Sequence, residues 1–290
     1  MFDNAIETTL TIGRWSASRN DERITRQVIE THAATSDAGR FNKQLLPKSV
    51  IDPIAKAENS IRRAHHSFTL PWREGTRLLA SDLYLTYTQQ MGALKDAFYK
   101  AVNDLVSNYP TLVEQRKLAL NGMFNANDYP SPMELSRKHY VRITFDPVSE
   151  FEAFRKLKLS GDVVSQIMSE AQQSQEQRYQ QAQYDLWLRL KEHIKTIVNG
   201  TQPDAKFIKS TFENLEKLVD IVSVYSKVFN SPDLDAIQQE VRRLITDRYS
   251  AEELQKQFNG NHALVVREEV NQASKDILQK LEDKMKCFFS

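Results

Sequence analysis

The chain has 290 residues, of which 8 are glycine, 9 proline and 1 cysteine, and its 39 basic and 38 acidic residues leave a net charge of +1. A chain of this length ordinarily carries roughly 20 glycines, and sandwiches, barrels and glycine-rich nucleotide folds depend on them for positive-φ turns and close backbone approach. The scarcity excludes those classes, and the balanced charge excludes a globally basic nucleic-acid coat or an acidic tail.

Ile6, Leu10 and Ile12, interleaved with threonines, predict a strand within residues 4–18. Asp21 to Ala34 reads as a polar, charged stretch, and Asp37-Ala38-Gly39 as a turn. Pro53 in a first turn, with Ile54, Ala57 and Ile61 at helical spacing, predicts a helix over 48–65. A hairpin over 66–79 follows, with Gly75 in the turn and Pro71 on an edge strand. Leu83, Tyr87, Met91, Leu94, Phe98, Val102 and Leu105 recur at steps of three and four, so a long amphipathic helix is expected to run to Tyr109-Pro110 and stop there. A second helix is expected from Thr111 to Leu120. Residues 123–150 read as an irregular centre containing a short helix over 133–139 and a strand over 140–145, paired with the first strand or the hairpin.

Beyond Ser160 the composition turns helical. Asp162 to Val198 has no internal glycine or proline, a glutamine-rich middle and a strongly apolar end through Leu186, Leu190, Ile194 and Ile197. Further helices are expected over 206–229, 234–249 and 263–286, with a short one capped by Ser250 between the last two. The whole reads as mainly α (α+β): long antiparallel helices and helical hairpins, with a small sheet or hairpin in the N-terminal half. Two domains are expected: an α+β domain at 1–158 and a helical hairpin or coiled-coil domain at 159–290.

No phosphate-binding glycine loop, dinucleotide fingerprint, zinc-protease helix or nucleophile elbow is present. Cys287 has no local companion and reads as a tail residue; a lone cysteine also fits a reducing cytoplasm. The adjacent His65 and His66 have no ligand-type spacing, and Asn125 to Asp128 lacks the ladder of a calcium loop, so no metal, cofactor or catalytic residue is assigned. No apolar run of ~18 residues is present, so no membrane span is expected, and no signal peptide is expected at Met1–Arg14.

Two features point to binding. Residues 40–77 carry eight basic residues against three acidic, a local excess of +5, interleaved with aromatics. Arg40, Lys43, Arg62, Arg63, Arg73 and Arg77 with Trp72 form the candidate nucleic-acid surface, since cations beside aromatic rings suit phosphate contact and base stacking. A solvated helix face and an ordinary edge hairpin are the competing reading. The long glutamine-rich helix must find burial somewhere. Leu186, Leu190, Ile194, Ile277 and Leu281 are therefore the candidate oligomerisation residues.

The segments LTIGRWSASR, GRFNKQLLPKSVIDPI, HSFTLPWREGTRLL, LNGMFNANDYPSPMEL and NSPDLDAIQQEVRRLI together resemble an uncharacterised family of bacteriophages and integrative mobile elements. The resemblance implies a cytoplasmic life in a bacterial host and a gene often neighbouring a MoxR-type AAA ATPase; it carries over no catalytic residue. The expected function is a non-enzymatic interaction or oligomerising protein, an adaptor or scaffold with a protein partner or a second copy. The alternatives are a nucleic-acid-binding protein in phage DNA metabolism or protection and an inhibitor of a host defence protein.

Overall fold

Apolar periodicity and caps set where the helices run, and a computed structural model describes residues 4–148, 160–255 and 261–286. In chain order these hold β1 (Ala5–Gly13), β2 (Ser18–Asn20), α1 (Glu22–Thr31), β3 (Asn42–Gln44), α2 (Lys48–Phe68), β4 (Leu70–Arg73) and β5 (Thr76–Ala80). Then come α3 (Tyr84–Leu120), α4 (Pro132–Arg137), β6 (Tyr140–Pro147), α5 (Gly161–Gly200), α6 (Lys209–Val228) and α7 (Pro232–Val241). A π-helical turn (Arg242–Thr246), α8 (Ala251–Gln255) and α9 (Asn261–Lys286) complete them. The fold is mainly α with a small antiparallel sheet of order β4-β5-β1-β6, and β2 and β3 form a separate ribbon. Among the described residues no helix is long and apolar enough to cross a membrane.

Four sequence expectations need correction, the first being that Pro53, expected in a first turn, lies inside α2. The polar stretch after Asp21 is a helix: the Asp21 carboxylate accepts the Ile24 amide at 3.1 Å, which satisfies an otherwise orphaned donor of α1. α3 runs unbroken through Pro110 to Leu120. Proline removes one helical hydrogen bond and crowds the preceding turn. Here burial outweighs that cost: Leu105 and Tyr109 before it and Leu120 after it are buried, and Arg116 donates to the Gln44 carbonyl at 2.7 Å. The helix expected over 234–249 ends as α at Val241 and continues as the π-helical turn.

The chain divides into two compact units, each built from separated stretches. The first comprises residues 1–9, 66–87 and 144–290, and the second 10–65 and 88–143. The boundary expected between 158 and 159 lies outside the described residues, as does Cys287.

In the first unit β1 pairs antiparallel with β5, Ala5 opposite Ala80 and Thr8 opposite Arg77, and β4 pairs with β5 across a turn in which Gly75 adopts φ 72°. α5 packs on β4, α6 and α9. The core gathers Trp187, Leu190 and Ile194 of α5, Phe212 and Val222 of α6, Val270 and Ile277 of α9, and Leu70 and Leu78 of the hairpin. Tyr225 lies within it. Its hydroxyl accepts the Ala80 amide at 3.2 Å and lies 2.9 and 2.8 Å from the Phe68 and Leu78 carbonyls, so strand and helix ends buried in an apolar interior still find partners.

The second unit buries Ile51, Ile54 and Ile61 of α2, Met91, Phe98 and Val102 of α3, and Leu45 and Leu46 after β3. Trp15 meets Tyr109 edge-on at 6.0 Å. Gly13 lies against the Tyr140 ring, where a Cβ would collide; absence of a side chain is what permits the approach.

Candidate functional site

The basic segment is where the sequence pointed first. Lys43 is only 4% exposed. Its ammonium lies 2.9 Å from Asp21 Oδ2 and 2.7 Å from Asp128 Oδ2, and donates to the Met123 carbonyl at 2.9 Å. Burial works against that charge, but the hydrogen bonds with Asp128 and Asp21 outweigh it and hold the lysine above its ordinary pKa. The bond from Lys43, then the Ile24 amide, holds the Asp21 carboxyl below its usual range. Arg19 adds a contact to Asp128 at 3.3 Å. Lys43 is thus the centre of a closed ionic node and offers no phosphate a free cation. Asp128 belongs to the stretch read as a plain turn, and no local spacing marks it as the partner of a lysine 85 positions earlier.

Trp72 is also buried. Its indole Nε1 donates to Glu7 Oε1 at 3.0 Å, and the Arg178 guanidinium lies 5.5 Å from its ring centre. The ring that was to stack on a base therefore already carries a partner. Arg73 donates to the other Glu7 oxygen. Arg77 donates to the Thr69 hydroxyl at 2.7 Å and carbonyl at 2.8 Å. Burial, then the neighbouring Arg189, pushes the Arg77 guanidinium below its ordinary pKa. Arg62 is half exposed and pairs with Glu58 at 2.9 Å, Arg63 donates to Ser60 at 3.3 Å, and Arg40 is exposed. Arg40, Lys43, Arg62 and Arg63 belong to the second unit, while Trp72, Arg73 and Arg77 belong to the first.

The candidate oligomerisation residues are placed just as decisively. Leu186, Leu190, Ile194, Ile277 and Leu281 have no exposed surface and sit in the core of the first unit. The apolar stripe that suggested an interface is satisfied by α6, α9 and β4 of the same chain.

What remains open lies elsewhere. In α5 the fully buried residues begin at Ala182, and the turn before them is already engaged, with the Arg178 guanidinium over Trp72 and the Tyr179 hydroxyl donating to the Phe229 carbonyl at 2.5 Å; residues 161–177 bury no side chain. Val163 is 43% exposed. Val164, Met168, Ala171, Gln175 and Arg178 are half-buried and follow one another at alternating steps of four and three, leading into the core at Ala182. That is the seam spacing of a coiled coil.

A polar groove of about 610 Å³ opens between α6 and the π-helical turn. Glu213, Glu216, Lys217 and Asp220 form one wall, and Arg242, Thr246 and Asp247 the other. Arg242 pairs with Asp220 at 2.5 Å. Burial, then the neighbouring Glu213 and Asp220, raises the Glu216 carboxyl. Among the described residues no group of three or more histidine, cysteine or carboxylate side chains is arranged to hold a metal ion.

No protein-family model, curated protein or solved structure matches the chain.

Proposed function

We propose that this chain is a non-enzymatic interaction protein, a self-associating scaffold, whose contact element is the first half of α5. One observation carries the reading. A 40-residue helix packs on its own chain from Arg178 to Val198 but buries no side chain from Gly161 to Gln177, although the coiled-coil spacing continues through that part. An isolated helical stretch is marginal in water and gains its stability from burial of a face. A second helix laid on the Val164–Met168–Ala171 row supplies that burial. The phage or mobile-element setting, the cytoplasmic location and a neighbouring AAA ATPase rest on the sequence resemblance.

Hydrogen–deuterium exchange of the full chain over a concentration series tests this reading. Amides of residues 161–177 should exchange more slowly as concentration rises, and Val164→Glu with Met168→Glu should abolish that protection without changing the melting temperature of the dilute chain. Exchange in this stretch that is the same at every concentration overturns the arm as a self-association element.

A further inference from the structure

We infer that β6 is a second, separate self-association surface, on which β6 of another copy of this chain pairs antiparallel about a two-fold axis at Thr144. β6 is the last strand of the sheet, and among the described residues no strand pairs with its outer edge. It is eight residues long, with Val141 its one buried side chain. Exposed edges of this length present unpaired amides and carbonyls and template the addition of a further strand.

The occupant follows from the order of residues in Tyr140-Val141-Arg142-Ile143-Thr144-Phe145-Asp146-Pro147. In an antiparallel pair centred on Thr144, position 142 falls opposite 146 of the other copy, 143 opposite 145, and 144 opposite itself. Arg142 then faces Asp146 twice, Ile143 faces Phe145 twice, and the two Thr144 side chains meet. Opposite charges, a β-branched residue against an aromatic, and threonine against threonine are the stabilising cross-strand pairs. Within the chain, Arg142 lies over the Tyr140 ring at 5.8 Å, and among the described residues neither Arg142 nor Asp146 takes part in an ion pair. Thr144 and Asp146 are exposed, and Phe145 is 36% exposed. The Tyr99 hydroxyl takes the Val141 amide at 3.1 Å, and the Phe145 ring already meets Tyr84 and Tyr87 edge-on at 5.1 and 6.1 Å, so what Phe145 offers Ile143 of the other copy is the part of its ring that stays exposed. The charges that would repel a stranger's strand of the wrong register are complementary to this strand's own reverse.

The inference uses a different surface from the α5 arm and stands without it. The test is a disulfide at the axis. With Cys287→Ser to remove the natural thiol, Thr144→Cys in the full chain, treated with oxidised glutathione, should give a covalent dimer as two thiols become one disulfide and glutathione is reduced. Opposed Cα atoms in an antiparallel pair lie about 4.5–5.5 Å apart, within the usual disulfide range of about 4.4–6.8 Å. Arg142→Cys should not crosslink, because its copies are four residues out of step, about 14 Å along the strands. In sedimentation, Asp146→Arg should weaken dimerisation about tenfold or more by turning two attractive pairs repulsive. Adding Arg142→Asp should restore it. Equal crosslinking at 144 and 142, none at 144, or an Asp146→Arg chain that dimerises unchanged overturns the inference. Val164→Glu with Met168→Glu should leave the crosslink at 144 intact, so failure of the arm and failure of this edge are read separately.

Discussion

The interior around Leu190 and the interior around Lys43 solve the same problem with opposite chemistry. Leu190 is fully buried among apolar neighbours from α5, α6 and α9, and stability there comes from area removed from water. Lys43 is nearly as deeply buried, but its neighbours are two carboxylates and a carbonyl, and what holds it is that each charge has a partner. The first kind of interior tolerates a loss in proportion to the volume removed. The second fails when a single member is removed, because an unpaired buried charge is left behind.

The largest effect should come from breaking the ionic node. Lys43→Ala takes from Asp21 and Asp128 their shared buried cation, leaving them only the Ile24 amide and the exposed Arg19, and should cost about 3–5 kcal/mol, measured by denaturant unfolding of the chain. Leu190→Ala, in the apolar interior, should cost about 2–5 kcal/mol, depending on how far the cavity collapses, in the same measurement. Acid separates the two interiors. The folded pKa of Asp21 lies below its unfolded value of about 3.9. Its contribution is therefore complete above that value and lost as pH falls through the folded pKa. Stability should drop below about pH 4, and Asp21→Asn should flatten that part of the pH profile, whereas Leu190→Ala should shift the profile without changing its shape. The smallest effect is expected where α5 leaves the apolar interior: Val163→Ala should change stability by under about 0.5 kcal/mol. A loss near that of Leu190→Ala would show that the arm is already buried within the chain.

Much of the fold was legible because its causes are local. The periodicity through Leu83, Tyr87 and Met91, the Gly75 turn and the helix over 48–65 follow from spacing and backbone freedom alone. Pro110 misled because proline's cost is local, while the burial that overrides it depends on residues far along the chain. α1 escapes a composition-based reading because its few apolar residues, Ile24, Val28 and Ile29, are outnumbered by polar ones, although they recur at helical spacing.

The candidate sites fared differently, for the same reason. Basic residues and aromatics within 40–77 could be counted in the sequence, yet Lys43 turned inward to Asp128 and Trp72 to Glu7. An apolar stripe on a long helix was visible at Leu186, Leu190 and Ile194, but not whether the chain itself or a partner would cover it. Most of the secondary structure, the scarcity of turns and the helical class were therefore determined by the sequence itself, since each depends on residues within a few positions; the passage of α3 through Pro110 was not. Only the tertiary structure decided which charges are buried and paired, which half of α5 is covered and which strand ends the sheet. Burial and ion pairing are properties of neighbours in space, and those neighbours come from stretches dozens of residues apart.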